Sequence, residues 1–254
     1  RYVTIGLNVS NQYSVEQLED MYAGVRFACK ELGMELVGGN VTSQPKGMSL
    51  NITVIGEGEA DEVVYRSGAS ENDLICVSGD LGSAYAGLLL LEREKKVFLE
   101  NPEVQPELGD LEYVVGRQLK PRSTQPILDY LKKVKLKPTA MMDLTDGLAS
   151  DLHQLGVASK LGALIYADRL PIDLQAEKVA DLFERSPYEL ALYGGEDYEL
   201  LFTLPPQAYP LLETRTDIQT IGYMTARDQG IRWALPDGSI EELKPLGWNH
   251  FPEA

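Results

Sequence analysis

Met142-Asp143-Leu144-Thr145-Asp146-Gly147-Leu148-Ala149-Ser150-Asp151 joins two apolar runs of different period, and its reading decides the fold. The residues leading into it, 139–144, are a short apolar stretch that reads as a buried strand. Those leaving it, from 148 to about 160, read as a helix. A strand C-terminus that meets a helix N-terminus is where layered α/β proteins place their ligands. Asp143 falls at the strand end and Asp146 at the helix start. Two carboxylates there can hold a hard divalent cation such as Mg²⁺, which keeps several waters and takes phosphate oxygens as further ligands. Thr145 offers a hydroxyl to the same spot. Plain helix capping by Thr or Asp fits these residues as well. Asp151 is expected to face solvent or to cap within the first turn.

Outward from this joint, strands and helices alternate. Upstream, 73–78 is an apolar strand that enters Gly79-Asp80-Leu81-Gly82 and a helix over 83–96. Residues 97–109 read as loop, and two helices are expected within 110–135. Downstream come a strand at 162–167, helix over 174–193, a strand at 198–204, a helix at 206–215 and three short strands. At the start, 1–10 reads as a strand. Ser14-Val15-Glu16-Gln17 is a capping-box pattern, and Leu18, Tyr22, Val25, Cys29 and Leu32 follow at helical spacing, with Gly33 as the stop. A short strand at 34–37, a polar Gly-rich loop over 38–47 and a strand at 48–56 complete this part. The weakly patterned segment 57–72 reads as a linker. These elements predict α/β and α+β layers in two domains, residues 1–65 and 66–254.

Composition narrows the function classes. The 254 residues carry 39 Asp+Glu against 23 Lys+Arg, a net charge of −16. Such a field argues against nucleic-acid binding through a basic surface. No apolar run is long enough for a membrane span. Cys29 and Cys76 are too few for a disulfide framework or a Cys-rich metal site, and no signal-peptide pattern opens the chain, so a cytoplasmic location is the default.

Several further stretches carry polar chemistry. Gly194-Gly195-Glu196-Asp197-Tyr198-Glu199 packs three acids before an apolar strand. Like-charge crowding of this kind is costly unless a cation relieves it, so Glu196, Asp197 and Glu199 suit a metal or a cationic substrate; a solvated turn fits equally. Gly38-Gly39-Asn40 with Thr42 and Ser43 offers N–H groups and hydroxyls to an anion, without the Lys-Ser/Thr ending of a Walker A loop. Gly79–Ser83 can cradle a phosphate at a helix N-terminus or serve as a tight turn. Arg66 can fork onto a phosphate. Trp248 can stack on a ring or pack the tail. His153 and His250 are isolated and take no role.

Taken together these motifs resemble thiamine-monophosphate kinase, of the aminoimidazole-ribonucleotide-synthetase-like superfamily. The resemblance rests on Leu36 to Ser43, Tyr65 to Ala69, residues 73–79, Met142 to Leu148, Gly194 to Phe202, and Gly247-Trp248-Asn249-His250-Phe251. It implies a two-domain AIR synthase-like (PurM-like) fold and transfer of a phosphoryl group from ATP to thiamine monophosphate, yielding thiamine diphosphate. By the same resemblance Asp143, Asp146 and Asn40 are metal ligands for Mg²⁺. Gly39, Asn40, Arg66, Thr145 and Tyr22 lie on the ATP side. Glu196 and Trp248 face the thiamine end, where a carboxylate and an indole suit a flat cationic thiazolium. A homodimer is implied as well.

Two departures from the family pattern stand out. Asn40 occupies the place of a metal-binding aspartate. The family also begins with about 80 further residues, a domain-sized addition that carries more aspartates and strands of the dimer interface. The N-terminal domain is therefore expected to be incomplete, and this polypeptide alone to turn over slowly or not at all. Two other readings remain beside the kinase. One is a non-catalytic module that binds thiamine phosphate or nucleotide. The other is a different ATP-dependent enzyme of the superfamily, which would need a reactive Cys or Lys near its start.

Overall fold

The computed structural model describes residues 1–105 and 108–247. The chain divides into two compact units, Arg1–Val63 and Val64–Ala254. The first contains β1 (Tyr2–Val9), α1 (Val15–Glu31), β2 (Glu35–Ser43) and β3 (Met48–Ile55). β1 is central, parallel to β2 and antiparallel to β3. A parallel pair needs a crossover, and α1 supplies it. Ser14 caps that helix by a full capping box: its hydroxyl accepts the Gln17 N–H at 3.3 Å, and the Gln17 side chain accepts the Ser14 N–H at 2.9 Å. Of the stripe predicted for α1, Tyr22, Val25 and Cys29 lie on the sheet, where they meet Val3, Ile5 and Leu36, while Leu32 follows the helix end and is exposed.

β2 runs on through Ser43 and so absorbs 38–43 of the stretch expected to be a loop, leaving 44–47 as the turn into β3. Its backbone pairs with β1 from Thr4 opposite Gly38 to Val9 opposite Ser43, after a bulge that takes up one residue. Strand pairing is made by main-chain groups, so polar side chains at an exposed edge do not prevent it. Gly39 is required there: a Cβ would lie 2.2 Å from the Ile5 carbonyl oxygen.

The second unit holds β4 (Leu74–Ser78), α2 (Ser83–Glu100), α3 (Glu112–Leu119), α4 (Gln125–Lys133), β5 (Ala140–Asp143), α5 (Leu148–Ser159) and β6 (Gly162–Tyr166). It continues with α6 (Leu174–Leu182), α7 (Pro187–Tyr193), β7 (Leu200–Leu204), α8 (Tyr209–Leu212), β8 (Ile218–Thr225), β9 (Ile231–Ala234) and β10 (Ile240–Glu242). The seven strands form one mixed sheet in the order β10-β9-β6-β8-β4-β7-β5, with β6 and β9 parallel and the other neighbours antiparallel. Side chains alternate across it. Ile75, Val77, Met142 and Leu201 point to the face covered by α5 and α7. Cys76, Leu200, Phe202 and Leu204 point to the face covered by α4 and α8. Burial on both faces explains why β7 is apolar but for Thr203, with each of its side chains buried.

Three helical stretches of the second unit differ from the sequence reading. α2 extends four residues past Lys96, to Glu100. The helical stretch 174–193 is split, because Pro187 disfavours a helical residue before it and Ser186 stands extended at the N-cap position of a new helix; Glu184 turns the chain with φ of 54°. The stretch 206–215 is a 3₁₀ turn, Pro206–Ala208, followed by the single turn of α8.

Candidate active site

The β5–β7 pairing sets Asp143 opposite Leu200. The pair is antiparallel, so the loop leaving β5 and the loop entering β7 emerge at the same end of the sheet. Backbone hydrogen bonds lace them together: Leu144 N–H to Glu199 O at 2.8 Å, Tyr198 N–H to Leu144 O at 2.9 Å, and Glu196 N–H to Thr145 O at 2.8 Å. Gly195 allows this approach, with φ of 71° and a virtual Cβ only 2.6 Å from the Thr145 carbonyl oxygen. The two acidic motifs of the second unit are therefore one surface. The last described residue, Gly247, donates its N–H to the Ser150 hydroxyl at 3.1 Å, beside the start of α5.

Asp143 is exposed, and Thr145 and Asp146 are half-buried. Asp151 is buried rather than solvent-facing. Its carboxylate accepts the N–H groups of Thr145 at 2.9 Å and Asp146 at 3.2 Å, fixing the loop ahead of the helix. Burial pushes its carboxyl up to about 6; the charges of Asp146 and Asp143 act in the same direction, against the two N–H bonds.

The three acids of the 194–199 motif have separate fates. Glu196 is exposed and accepts the Tyr198 hydroxyl at 3.0 Å. That bond, then burial, then the charges of Glu196, Asp143 and Asp146 raise the Tyr198 phenol, so these three carboxylates share one negative field. Asp197 points inward and accepts N–H groups of Gly82 and Ala84 at the start of α2. The Gly79–Ser83 turn, offered by its sequence as a phosphate cradle, is thus filled by the protein's own carboxylate. Burial pushes the Asp197 carboxyl up to about 7. Glu199 is also buried; it accepts the Ser78 hydroxyl and pairs with Arg117 at 3.0 Å. Of the expected cation-binding cluster, only Glu196 reaches the surface.

Arg66 is exposed beside the outer edge of β5, where the Tyr65 carbonyl accepts the Met141 N–H at 2.9 Å. In the first unit Asn40 is exposed on β2 across from Gly6, whose other neighbour is Asn51. Tyr22 is half-buried and belongs to the packing under the sheet. Trp248 and His250 lie outside the described residues. His153 meets the Leu243 carbonyl through Nε2 at 2.6 Å, a packing role.

The sequence reading missed Arg117. It is 3% exposed on α3, and its Nη2 reaches Asp197 O at 3.1 Å and Asp80 O at 3.4 Å besides Glu199. Its Nε lies 3.6 Å from Asp80 Oδ1, within ion-pair reach and beyond hydrogen-bond range. Asp80 also accepts the hydroxyls of Ser83 and Tyr113. Nothing local sets an arginine in a short amphipathic helix apart from a surface one; its acceptors come from segments distant in sequence.

Comparison with known proteins agrees with this fold. The family model for AIR synthase related protein, N-terminal domain, matches residues 1–57. Thiamine-monophosphate kinase of Aquifex aeolicus is 34% identical over 253 residues, covering 99% of this chain and 74% of that protein. The Bacillus subtilis thiamine-monophosphate kinase is 29% identical over 257 residues, with 99% and 75% covered. The solved structure of AaThiL complexed with AMPPCP and TMP superposes with a TM-score of 0.78 at 32% identity, covering 99% of this chain and 74% of that one. The fold is that of the AIR synthase-related class. Within that class, the chain belongs to the thiamine-monophosphate kinase family.

Proposed function

We propose that the chain transfers the γ-phosphoryl group of ATP to a phosphate oxygen of thiamine monophosphate, giving ADP and thiamine diphosphate. The observation that carries the reading is the lacing of the 143–146 loop to the 194–199 loop at one sheet end, in a chain of this family. The acceptor oxygen is already ionised at neutral pH. The bond from the γ-phosphorus to ADP breaks as the bond to the acceptor forms, and no proton has to be removed. No side chain is assigned as a general base; the protein's task is to position two anions and balance their charge.

Asp143 and Asp146 fit a hard cation. Both carry negative charge that reaches the field around Asp151 and Tyr198. Among the described residues no three His, Cys, Asp or Glu side chains close on one point. A cation here keeps water and phosphate oxygens in its shell, which is the habit of Mg²⁺. When bound, Mg²⁺ offsets the charge on the transferring phosphoryl group. Asn40 is assigned a ligand role through its neutral amide oxygen. Thr145, Arg66, Gly39 and Tyr22 are assigned to the nucleotide, by hydroxyl, guanidinium, backbone N–H and ring respectively. Glu196 and Trp248 are assigned to the thiamine end, a carboxylate and an indole for a flat cation.

The reading extends to a homodimer in the cytoplasm. On β3, Met48, Leu50, Ile52 and Val54 share one face, opposite the polar Ser49, Asn51 and Thr53, and all four are exposed. An apolar strip on a sheet favours burial against a second copy. The unpaired thiols of Cys29 and Cys76 suit a reducing compartment.

Calorimetric titration separates the assignments. The chain is expected to bind both Mg-ATP and thiamine monophosphate. Asp143→Asn weakens the first and spares the second, and Glu196→Gln does the reverse. Nucleotide binding without any binding of thiamine monophosphate would overturn the acceptor.

A further inference from the structure

The backbone of the Glu196 loop is held in an unfavourable form. Glu196 and Tyr198 have φ of 63° and 53°, left-handed values that side chains with a Cβ rarely adopt. Such a conformation persists only where the surroundings over-determine it. The residues that alternate with them provide the anchors: Asp197 on the Gly82 and Ala84 N–H groups, Glu199 on the Ser78 hydroxyl. Arg117 ties these anchors to each other and to the Gly79–Ser83 turn, through Asp197 O, Glu199 Oε1 and Asp80 O. Among the described residues it is the guanidinium set against the carboxylates of Asp80, Asp197 and Glu199.

We propose that Arg117 is a positioning residue for the thiamine end of the site: it clamps the backbone on the C-terminal side of Glu196 and so presents the Glu196 carboxylate to the substrate cation. The inference rests on the functional reading above. Arg117 touches no reacting atom; it acts through Glu196. A lysine keeps the charge but has no nitrogen at the place of Nε beside Asp80 Oδ1, and lacks the rigid guanidinium plane that holds Nη2 among Asp197 O, Asp80 O and Glu199 Oε1.

A double-mutant cycle read by calorimetry on the whole chain tests this. Arg117→Lys is expected to weaken thiamine monophosphate binding about tenfold, the scale of one lost charge-assisted hydrogen bond, and to leave Mg-ATP binding within about twofold. In a Glu196→Gln background the same change is expected to cost no further affinity, because the two act in series. Amide exchange at Glu196 and Tyr198, whose N–H groups bond Thr145 O and Leu144 O, is expected to quicken in Arg117→Lys. Additive losses, equal losses for both ligands, or unchanged affinity with only a lower Tm would overturn the proposal. If Arg117→Lys does not fold, Glu199→Gln loosens the same clamp and is judged by the same criteria. A wild-type chain that does not bind thiamine monophosphate overturns the functional reading and this proposal with it. Binding by wild type together with an additive cycle overturns the proposal alone.

Discussion

Glu196 and Asp197 are neighbours with opposite fates, one exposed at the proposed substrate surface and one wholly enclosed at the N-terminus of α2. Asp197 has a measurable consequence. Its carboxyl rises from 3.8 to about 7 on folding, chiefly by burial. The folded chain therefore holds that proton to higher pH than the unfolded chain does. Stability from this group is greatest below pH 3.8 and is lost as pH rises towards about 7, with little change beyond. Asp197→Asn keeps an acceptor for Gly82 and Ala84 without the charge. Its thermal denaturation curves are expected to show a flatter dependence of Tm across that window than wild type; parallel profiles would place the proton elsewhere. In the sequence, Glu196, Asp197 and Glu199 read as one acidic cluster, because adjacency along the chain says nothing of which side each residue faces. Asp143 and Asp146 were legible for the opposite reason: a strand end and a helix start fix where their side chains emerge.

At the scale of elements, legibility followed local physics. α1 was readable from its capping box and apolar stripe, both of which are contained in the segment itself. Ser14→Ala removes the bond to the Gln17 N–H and is expected to lower stability by about 1 kcal/mol, measured by urea denaturation. A change near zero would mean that tertiary contacts alone hold that end. β2 was only half readable. Gly38 to Ser43 lacks any apolar alternation, and its strand form comes from pairing with β1, a partner distant in sequence. The same limit hid the lacing of the 143–146 loop to the 194–199 loop. Each motif was visible, but their meeting depends on β5 and β7 lying side by side.

For the whole molecule, a charge of −16 argues against polyanions, yet the proposed substrates are a nucleotide and a phosphate ester. The resolution is local: Asp143, Asp146 and Glu196 attract cations, Mg²⁺ and a thiazolium, and these bring the phosphates with them. The apolar strip of β3 sets a second expectation. Ile52→Asp places a charge in its middle, and light scattering is expected to show wild type as a dimer and the variant as a monomer; an unchanged mass would clear that strip of the role. The central claim concerns the destination of one phosphoryl group. The chain is incubated with Mg²⁺, thiamine monophosphate and ATP labelled in its γ-phosphate, and the label is followed. The account predicts labelled thiamine diphosphate, formed one for one with ADP and lost when either Mg²⁺ or thiamine monophosphate is left out. ADP appearing with the label on inorganic phosphate alone would contradict it.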